Sequence, residues 1–256
     1  KKFFKSNDVN YIGVKTFFLY GNRFCIGAKP KKKYNNLINS IIKQNNELKK
    51  KIINLKKNNK IVGAFQTRNV PHLGHEKIIE MLLQYCDHVI INPLLGPKKK
   101  GDFKNNIIRI AYEYLSKNIF NNKISYMPLY ANMYYAGPRE AIHHSLLRKS
   151  VGFDYFIVGR DHAGAENIYH PDDAFNLLEQ YKKDIGIEVL THQGSFYDSQ
   201  EKKVIIKNKG MVNKNLININ GSEFREHLNK RIIYKFARTE LQEYLYKFND
   251  DYFIKY

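Results

Sequence analysis

Cysteine is nearly missing from this chain: of 256 residues only Cys25 and Cys86 carry a thiol, and they lie far apart in different segments. Without a Cys-x-x-Cys pair there is no basis for a disulfide framework or a cysteine zinc site, and a reducing compartment fits. Long apolar runs are missing too; nothing approaches the ~20 residues that a membrane span requires. Acidic residues are scarce, 24 Asp and Glu against 43 Lys and Arg, for a formal charge of +19. That balance raises nucleic acid as a partner. The lysines, however, fall in runs mixed with asparagine and isoleucine, around 31–33, 49–51, 56–60 and 98–100, the mixture an AT-rich coding genome produces. No nucleic-acid motif accompanies them. The expectation is solvated basic faces and a field that gathers anionic substrates, with neither nucleic acid nor membrane as a partner.

Hydrophobic residues make up 43% of the chain, enough for a substantial core in one large domain or a domain plus a smaller piece. The chain begins at Lys1, and its first residues read as mid-domain material. A segment upstream is therefore expected, with room for an organellar targeting signal; the compartment otherwise expected is the cytoplasm.

Residues 10–30 alternate weakly, with Val14, Phe17, Phe18, Tyr20 and Phe24 around a Gly21-Asn22 turn, and read as a hairpin. Residues 34–56 have helical spacing and read as a connector. The pattern then changes to alternation: strand 61–66, helix 74–85, strand 88–92, helix 105–117, strand 123–129, helix 138–150, strand 154–159, helix 171–184 and strand 186–190. Strands alternating with helices predict a doubly wound α/β domain around a parallel sheet, with ligands at the carboxyl ends of the strands. A hairpin over 195–207 and helices over 222–229 and 238–248 complete the chain, and no internal repeat occurs. The expected divisions are 1–30, a connector over 31–60, the α/β domain over 61–191 and a small C-terminal region over 192–256.

Two strands run straight into polar clusters. After Ile61 to Phe65 comes Gln66-Thr67-Arg68-Asn69-Val70-Pro71-His72-Leu73-Gly74-His75-Glu76. Two histidines three apart at a helix start share a face, beside amides that favour anions. Charged or neutral, each can donate to a phosphate oxygen. Arg68 offers a planar fork to a tetrahedral oxyanion, Gln66 and Asn69 add neutral donors, and Thr67 is placed to orient the loop. Gly74 reads as a point of close backbone approach to a ligand. An isolated His-x-x-His is more often a local hydrogen-bonding pair, and the commonest fate of any arginine is a surface salt bridge; the cluster as a whole argues for a phosphate and oxyanion grip. The second cluster, Gly159-Arg160-Asp161-His162-Ala163-Gly164, follows strand 154–159. Its glycines leave room for a nucleotide, Arg160 and His162 suit an anion, and Asp161 suits loop geometry or a ribose. A third patch, Gly137-Pro138-Arg139-Glu140-Ala141-Ile142-His143-His144, opens a helix with proline in its first turn; both of its histidines read as structural.

Together these motifs resemble the ATP sulfurylase (sulfate adenylyltransferase) family, over residues from about 10 to 248. The family's Gln-Thr-Arg-Asn-x-x-His-x-x-His-Glu loop is matched at Gln66 to Glu76, its Gly-Pro-Arg-Glu-Ala at Gly137 to Ala141, and its Phe-Ile-Val-Gly-Arg-Asp-His-Ala-Gly at Phe156 to Gly164. Asn92 to Gly96, Lys100-Gly101-Asp102, Ile219 to Arg225 and Arg238 to Leu241 are similar to further family stretches.

The resemblance implies a Rossmann-like nucleotidyltransferase domain, preceded by the last strands of a PUA-like β domain. It implies that sulfate attacks the α-phosphate of Mg-ATP, giving adenylyl sulfate and pyrophosphate, reversibly and without a covalent enzyme intermediate. On matching positions Gln66, Arg68 and Ala163 would bind sulfate, Thr67, Arg68 and Asn69 would form the active loop, and His72 and His75 would stabilise the transition state. Gly159, Arg160, Asp161 and His162 would bind nucleotide together with Gln66, Arg68, His72 and His75, with Ser195 near the adenine. A homo-oligomer is implied. The sequence departs at Asp198-Ser199-Gln200, where some members carry cysteines, so no zinc is expected, and at Asn220 and Ser222, where the family has serine and threonine. No Gly-x-x-x-x-Gly-Lys-[Ser/Thr] kinase loop occurs. The competing readings are a His-x-x-His nucleotidyltransferase acting on an organic phosphate, a silent nucleotide-sensing domain and a basic nucleic-acid binder.

Overall fold

The structure, a computed structural model, describes residues 4–6, 8–15, 35–96, 100–160, 162–164, 168–207, 210–211, 215–248 and 251–254. Five strands form a parallel sheet: β1 (Val62–Phe65), β2 (His88–Ile91), β3 (Ile124–Tyr126), β4 (Tyr155–Gly159) and β5 (Glu188–His192). Their spatial order is β3-β2-β1-β4-β5. The chain winds outward from β1 in one direction through β3, then crosses back to place β4 on the other side of β1. The order therefore reverses between β1 and β4, and the crevice that opens there at the carboxyl ends is where such sheets bind ligands.

Period-two alternation gives the sheet its two buried faces. Val62, Ala64, Ile90, Phe156 and Val158 pack on one side, under helices α1 (Asn35–Lys57), α4 (Pro138–Val151) and α5 (Asp173–Gln180). Phe65, Val89, Ile91 and Ile157 pack on the other, under α2 (Leu73–Leu82) and α3 (Asn105–Asn118). The connector helix α1 is a layer of this domain: its Leu48 and Ile52 are fully buried against the sheet.

Between α5 and β5 a short helix, α6, spans Lys182–Ile185. Beyond the sheet, β6 (Ser195–Asp198), β7 (Lys203–Ile206) and β8 (Leu216–Asn218) make a small antiparallel sheet in the order β7-β6-β8. Helices α7 (Gly221–Asn229) and α8 (Thr239–Tyr246) follow, and Phe224, Leu228, Leu241 and Leu245 join the α2–α3 core. The C-terminal region is also tied to α2 by an ion pair between Arg238 Nε and Glu76 Oε2 at 2.8 Å.

Several elements differ from the sequence reading. The helix expected over 171–184 breaks at Tyr181, whose φ of −105° and ψ of 14° leave helical geometry, and it becomes α5 and α6. Gly186, at φ 63°, then ends α6 in the left-handed region, so β5 starts at 188 and reaches His192. The strand expected over 123–129 stops at Tyr126, and Leu129 re-enters as a lone parallel bridge to Leu94. Pro128, which lacks an N–H, lies in the gap. Of the expected hairpin over 10–30, residues 12–15 form a helical turn, closed by Lys15 N donating to Tyr11 O at 2.8 Å. Residues 16–30 lie outside the described residues.

Candidate functional site

The polar cluster after β1 leads into α2, whose N-cap is His72. Its ring Nδ1 accepts from the backbone N–H of His75 at 3.3 Å, and the ring Nδ1 of His75 accepts from the N–H of His72 at 3.3 Å. This is a reciprocal capping box with histidine in both roles. The two rings stack at 3.8 Å between centroids. The geometry decides the tautomers: a nitrogen that accepts carries no proton, so in each neutral ring the proton sits on Nε2. Burial favours that neutral state. It pulls His72 down to about 4. His75 is held well below the ordinary histidine value by burial, then by the charges of His72 and His192. Each ring is thus left with one Nε2–H to donate, while the helix-start amides of Leu73 and His75 are already taken, by Phe236 O and the His72 ring.

Gly74 lies between them. A Cβ there would stand 2.2 Å from Ser195 Oγ and 3.0 Å from the His72 ring. The close approach that requires glycine is to the hairpin residue Ser195, in place of the ligand expected from the sequence.

Thr67 is buried and accepts from Asn69 N at 3.1 Å, folding the loop back on itself. Gln66 Oε1 and Asn69 Oδ1 are buried with no protein partner, a condition that calls for a ligand or water. Arg68 is exposed at the cavity mouth.

Across the β1–β4 crevice, the second cluster approaches the first. A cavity of about 310 Å³ is lined by Gln66, Thr67, Arg68, Asn69 and His75 from one side and by His162, Ala163 and Gly164 from the other. Leu94, Gly96, Asp102, Met133 and Tyr135 close it. Gly159 and Arg160 sit just behind, at the end of β4; Arg160 N donates to His192 O at 3.1 Å and its side chain is exposed. His72 and Ser195 lie beside the cavity wall, through the stacked ring and Gly74 respectively. Asp161 lies outside the described residues.

Sequence reasoning passed over His192, Tyr135 and the partnership of Asp102 with Arg225. Gly159 pairs with His192 across β4 and β5, and a Cβ on Gly159 would stand 3.1 Å from the His192 ring. His192 Nδ1 accepts from Gly194 N at 3.2 Å, so it too carries its proton on Nε2, and burial pulls it down to about 4. Arg225 Nη1 lies 3.4 Å from Asp102 Oδ1 and adds a second guanidinium near Arg68.

Behind His162 runs a buried polar chain. His162 Nε2 and His144 Nδ1 share a hydrogen bond at 2.9 Å. His144 Nε2 lies 3.2 Å from Glu140 Oε1, off the line of a hydrogen bond. Arg148, fully buried, donates to Asn92 O at 2.9 Å and stands over the Phe156 ring at 4.9 Å. Burial pulls its guanidinium down to about 9. His144 and His162 are both held well below the ordinary value, first by burial.

Six histidines, His72, His75, His88, His144, His162 and His192, are thus lowered in the fold. Between an unfolded value near 6.5 and the folded value of about 4 for His72, His88 and His192, the unfolded chain binds the extra proton, and the downward shifts of the other three have the same sign; stability is therefore present above 6.5 and is lost as pH falls through this window. Buried Glu76 and Glu140, raised by burial, act in the opposite sense but are outnumbered. We expect the melting temperature to fall by more than ~5 °C between pH 7 and pH 5. A thermal melt series at constant ionic strength checks it; a flat profile would contradict the neutral-ring assignment.

A family model described as ATP-sulfurylase matches residues 39–247. Among curated relatives, the sulfate adenylyltransferase of Pyrococcus abyssi is 40% identical over 198 residues, 77% of this chain and 52% of that protein. That of Persephonella marina is 36% identical over 254 residues, 96% of this chain and 66% of that protein. The chain spans about half the length of the first relatives it matches. In fold it is similar to the hexameric APS kinase from Thiobacillus denitrificans, with a TM-score of 0.57 at 13% identity over 80% of this chain and 39% of that one. The family match covers both loops of the cavity and the sheet that brings them together, and the chain belongs to the ATP-sulfurylase family.

Proposed function

We propose that this chain transfers the adenylyl group of ATP to sulfate. The observation that carries the reading is the meeting of the two loops in one cavity at the β1–β4 switch point, with orphaned amide oxygens on Gln66 and Asn69 and two fixed Nε2–H donors on the adjoining helix start. Sulfate would be held by Gln66, Arg68 and Ala163. The nucleotide would lie along Gly159, Arg160, Asp161 and His162, with its adenine toward Ser195 and its phosphates over the start of α2. A sulfate oxygen attacks the α-phosphorus in line; the bond from that phosphorus to the bridging oxygen breaks, and the electron pair leaves on pyrophosphate. Negative charge grows on the α-phosphoryl oxygens. The neutral Nε2–H groups of His72 and His75 would meet it without reorganising. Thr67 and Asn69 keep the loop in register.

Among the described residues no three of His, Cys, Asp and Glu converge on a metal position, and the one carboxylate lining the cavity, Asp102, faces Arg225. Magnesium fits as part of the substrate, carried on the ATP phosphates. No described helix is long and apolar enough to cross a membrane. A cytoplasmic homo-oligomer acting on ATP, sulfate, adenylyl sulfate and pyrophosphate belongs to the same reading. The test is pyrophosphate release from Mg-ATP with sulfate, compared with a panel of organic phosphates. We expect turnover with sulfate alone, and ATP formation when adenylyl sulfate and pyrophosphate are supplied. Release that ignores sulfate would overturn it.

A further inference from the structure

Tyr135 stands in an unusual conformation at the cavity wall. Its φ is 57°, in the left-handed region that a bulky side chain rarely enters, and the residue is 4% exposed. Such a conformation persists only where the surroundings over-determine it, and here they do. The Glu140 carboxylate takes the backbone N–H on either side of it, Tyr134 N on Oε1 at 2.7 Å and Ala136 N on Oε2 at 2.9 Å. The Tyr11 hydroxyl donates to the Tyr135 carbonyl. Glu140 is itself 2% exposed and anchored in the first turn of α4. Ala163, also lining the cavity, shares the left-handed region at φ 56°, and its carbonyl accepts from Gly137 N at 3.3 Å. Two strained residues without the freedom of glycine therefore line one cavity, joined through one loop.

The restraints serve a side chain. Tyr135 and Arg68 line the same cavity, and the Arg68 charge offsets part of the upward push that burial gives the Tyr135 hydroxyl. Arg68 is exposed there and sits in a bend after β1, so its long side chain has many rotamers to lose when it grips an anion.

We propose that Tyr135 is a positioning residue for Arg68: its hydroxyl tethers the guanidinium with the fork toward the oxyanion, and Glu140 clamps the loop so that the hydroxyl stays in place. This rests on the reading of Arg68 as the sulfate ligand. Tyr135→Phe removes only the tether, leaving the ring and the backbone restraints. The KM for sulfate rises about tenfold, the KM for ATP and the melting temperature hold, and in an Arg68→Lys background the same change has no further effect. Glu140→Gln, which sets an NH2 donor against one of the two N–H groups, raises the sulfate KM in the same direction and also lowers the melting temperature.

Two readouts separate the possible failures. Steady-state kinetics of the unmodified chain with sulfate tests the functional reading. The ¹⁵N signal of the Arg68 Nε–H, identified by its loss in Arg68→Lys, tests the tether whatever anion the chain uses. We expect a dispersed signal that collapses to the solvent-averaged position in Tyr135→Phe. An unchanged signal, or a sulfate KM within twofold of the parent, overturns the proposal.

Discussion

Arg68→Ala should lower sulfate-dependent pyrophosphate release by about 10³ while leaving the melting temperature within ~2 °C of the parent. The two halves of this expectation have different origins. Arg68 is exposed in a bend beyond β1 and contributes nothing to either buried face of the sheet, so its loss opens no cavity in the core. In the proposed complex, however, it is the group whose planar fork matches a tetrahedral oxyanion. A charge-assisted bidentate contact of this kind is worth ~2–4 kcal/mol where water is partly excluded. Arg225 does not replace it, because its guanidinium faces Asp102. Arg68→Lys keeps the charge without the fork, and should recover part of the loss, leaving a deficit of about 10². Initial rates at saturating ATP across a sulfate titration measure both. An alanine variant with a rate within twofold of the parent would place the anion elsewhere in the molecule.

The sheet was largely legible because its strands are short apolar runs that end in polar clusters. Val62 to Phe65 and Tyr155 to Gly159 announce themselves by composition, and the reversal of strand order between them explains why both clusters serve one cavity. What stayed hidden depends on contacts distant in sequence. His192 carries no pattern of its own; it reaches the site because β5 pairs with β4 opposite Gly159. The Arg238–Glu76 ion pair joins residues 162 apart. Gly74 looked like an opening for a ligand, because a one-dimensional reading cannot tell that from the neighbouring Ser195 hydroxyl. Tyr135 was invisible for another reason: a positive φ at a tyrosine leaves no mark in the sequence, and here the Glu140 carboxylate holds it by capturing the flanking amides. The helix break at Tyr181 and the helical turn at 12–15 are choices that local spacing left open.

The second large effect concerns the stacked histidines. His72→Ala and His75→Ala should each lower kcat by about 10² to 10³, the range for removing one preorganised donor. The double variant should be little worse than either single one, since the two rings stack at 3.8 Å between centroids and each braces the other, so the pair acts as a unit. His72→Ala also loses the N-cap of α2 and should destabilise the chain by ~1 kcal/mol. That coupling of cap and donor can be separated with His72→Asn. Asparagine is among the best N-cap residues, so this variant should melt like the parent. It should nevertheless be as slow as His72→Ala. Both Nδ1 atoms are occupied by backbone N–H groups, so Nε2–H is the only donor each ring has to offer. Asparagine reproduces the inner acceptor and has no atom at the reach of Nε2. A ring that served only to cap the helix would be replaceable by asparagine at no cost in rate, and kcat within about threefold of the parent for His72→Asn would reduce His72 to that role.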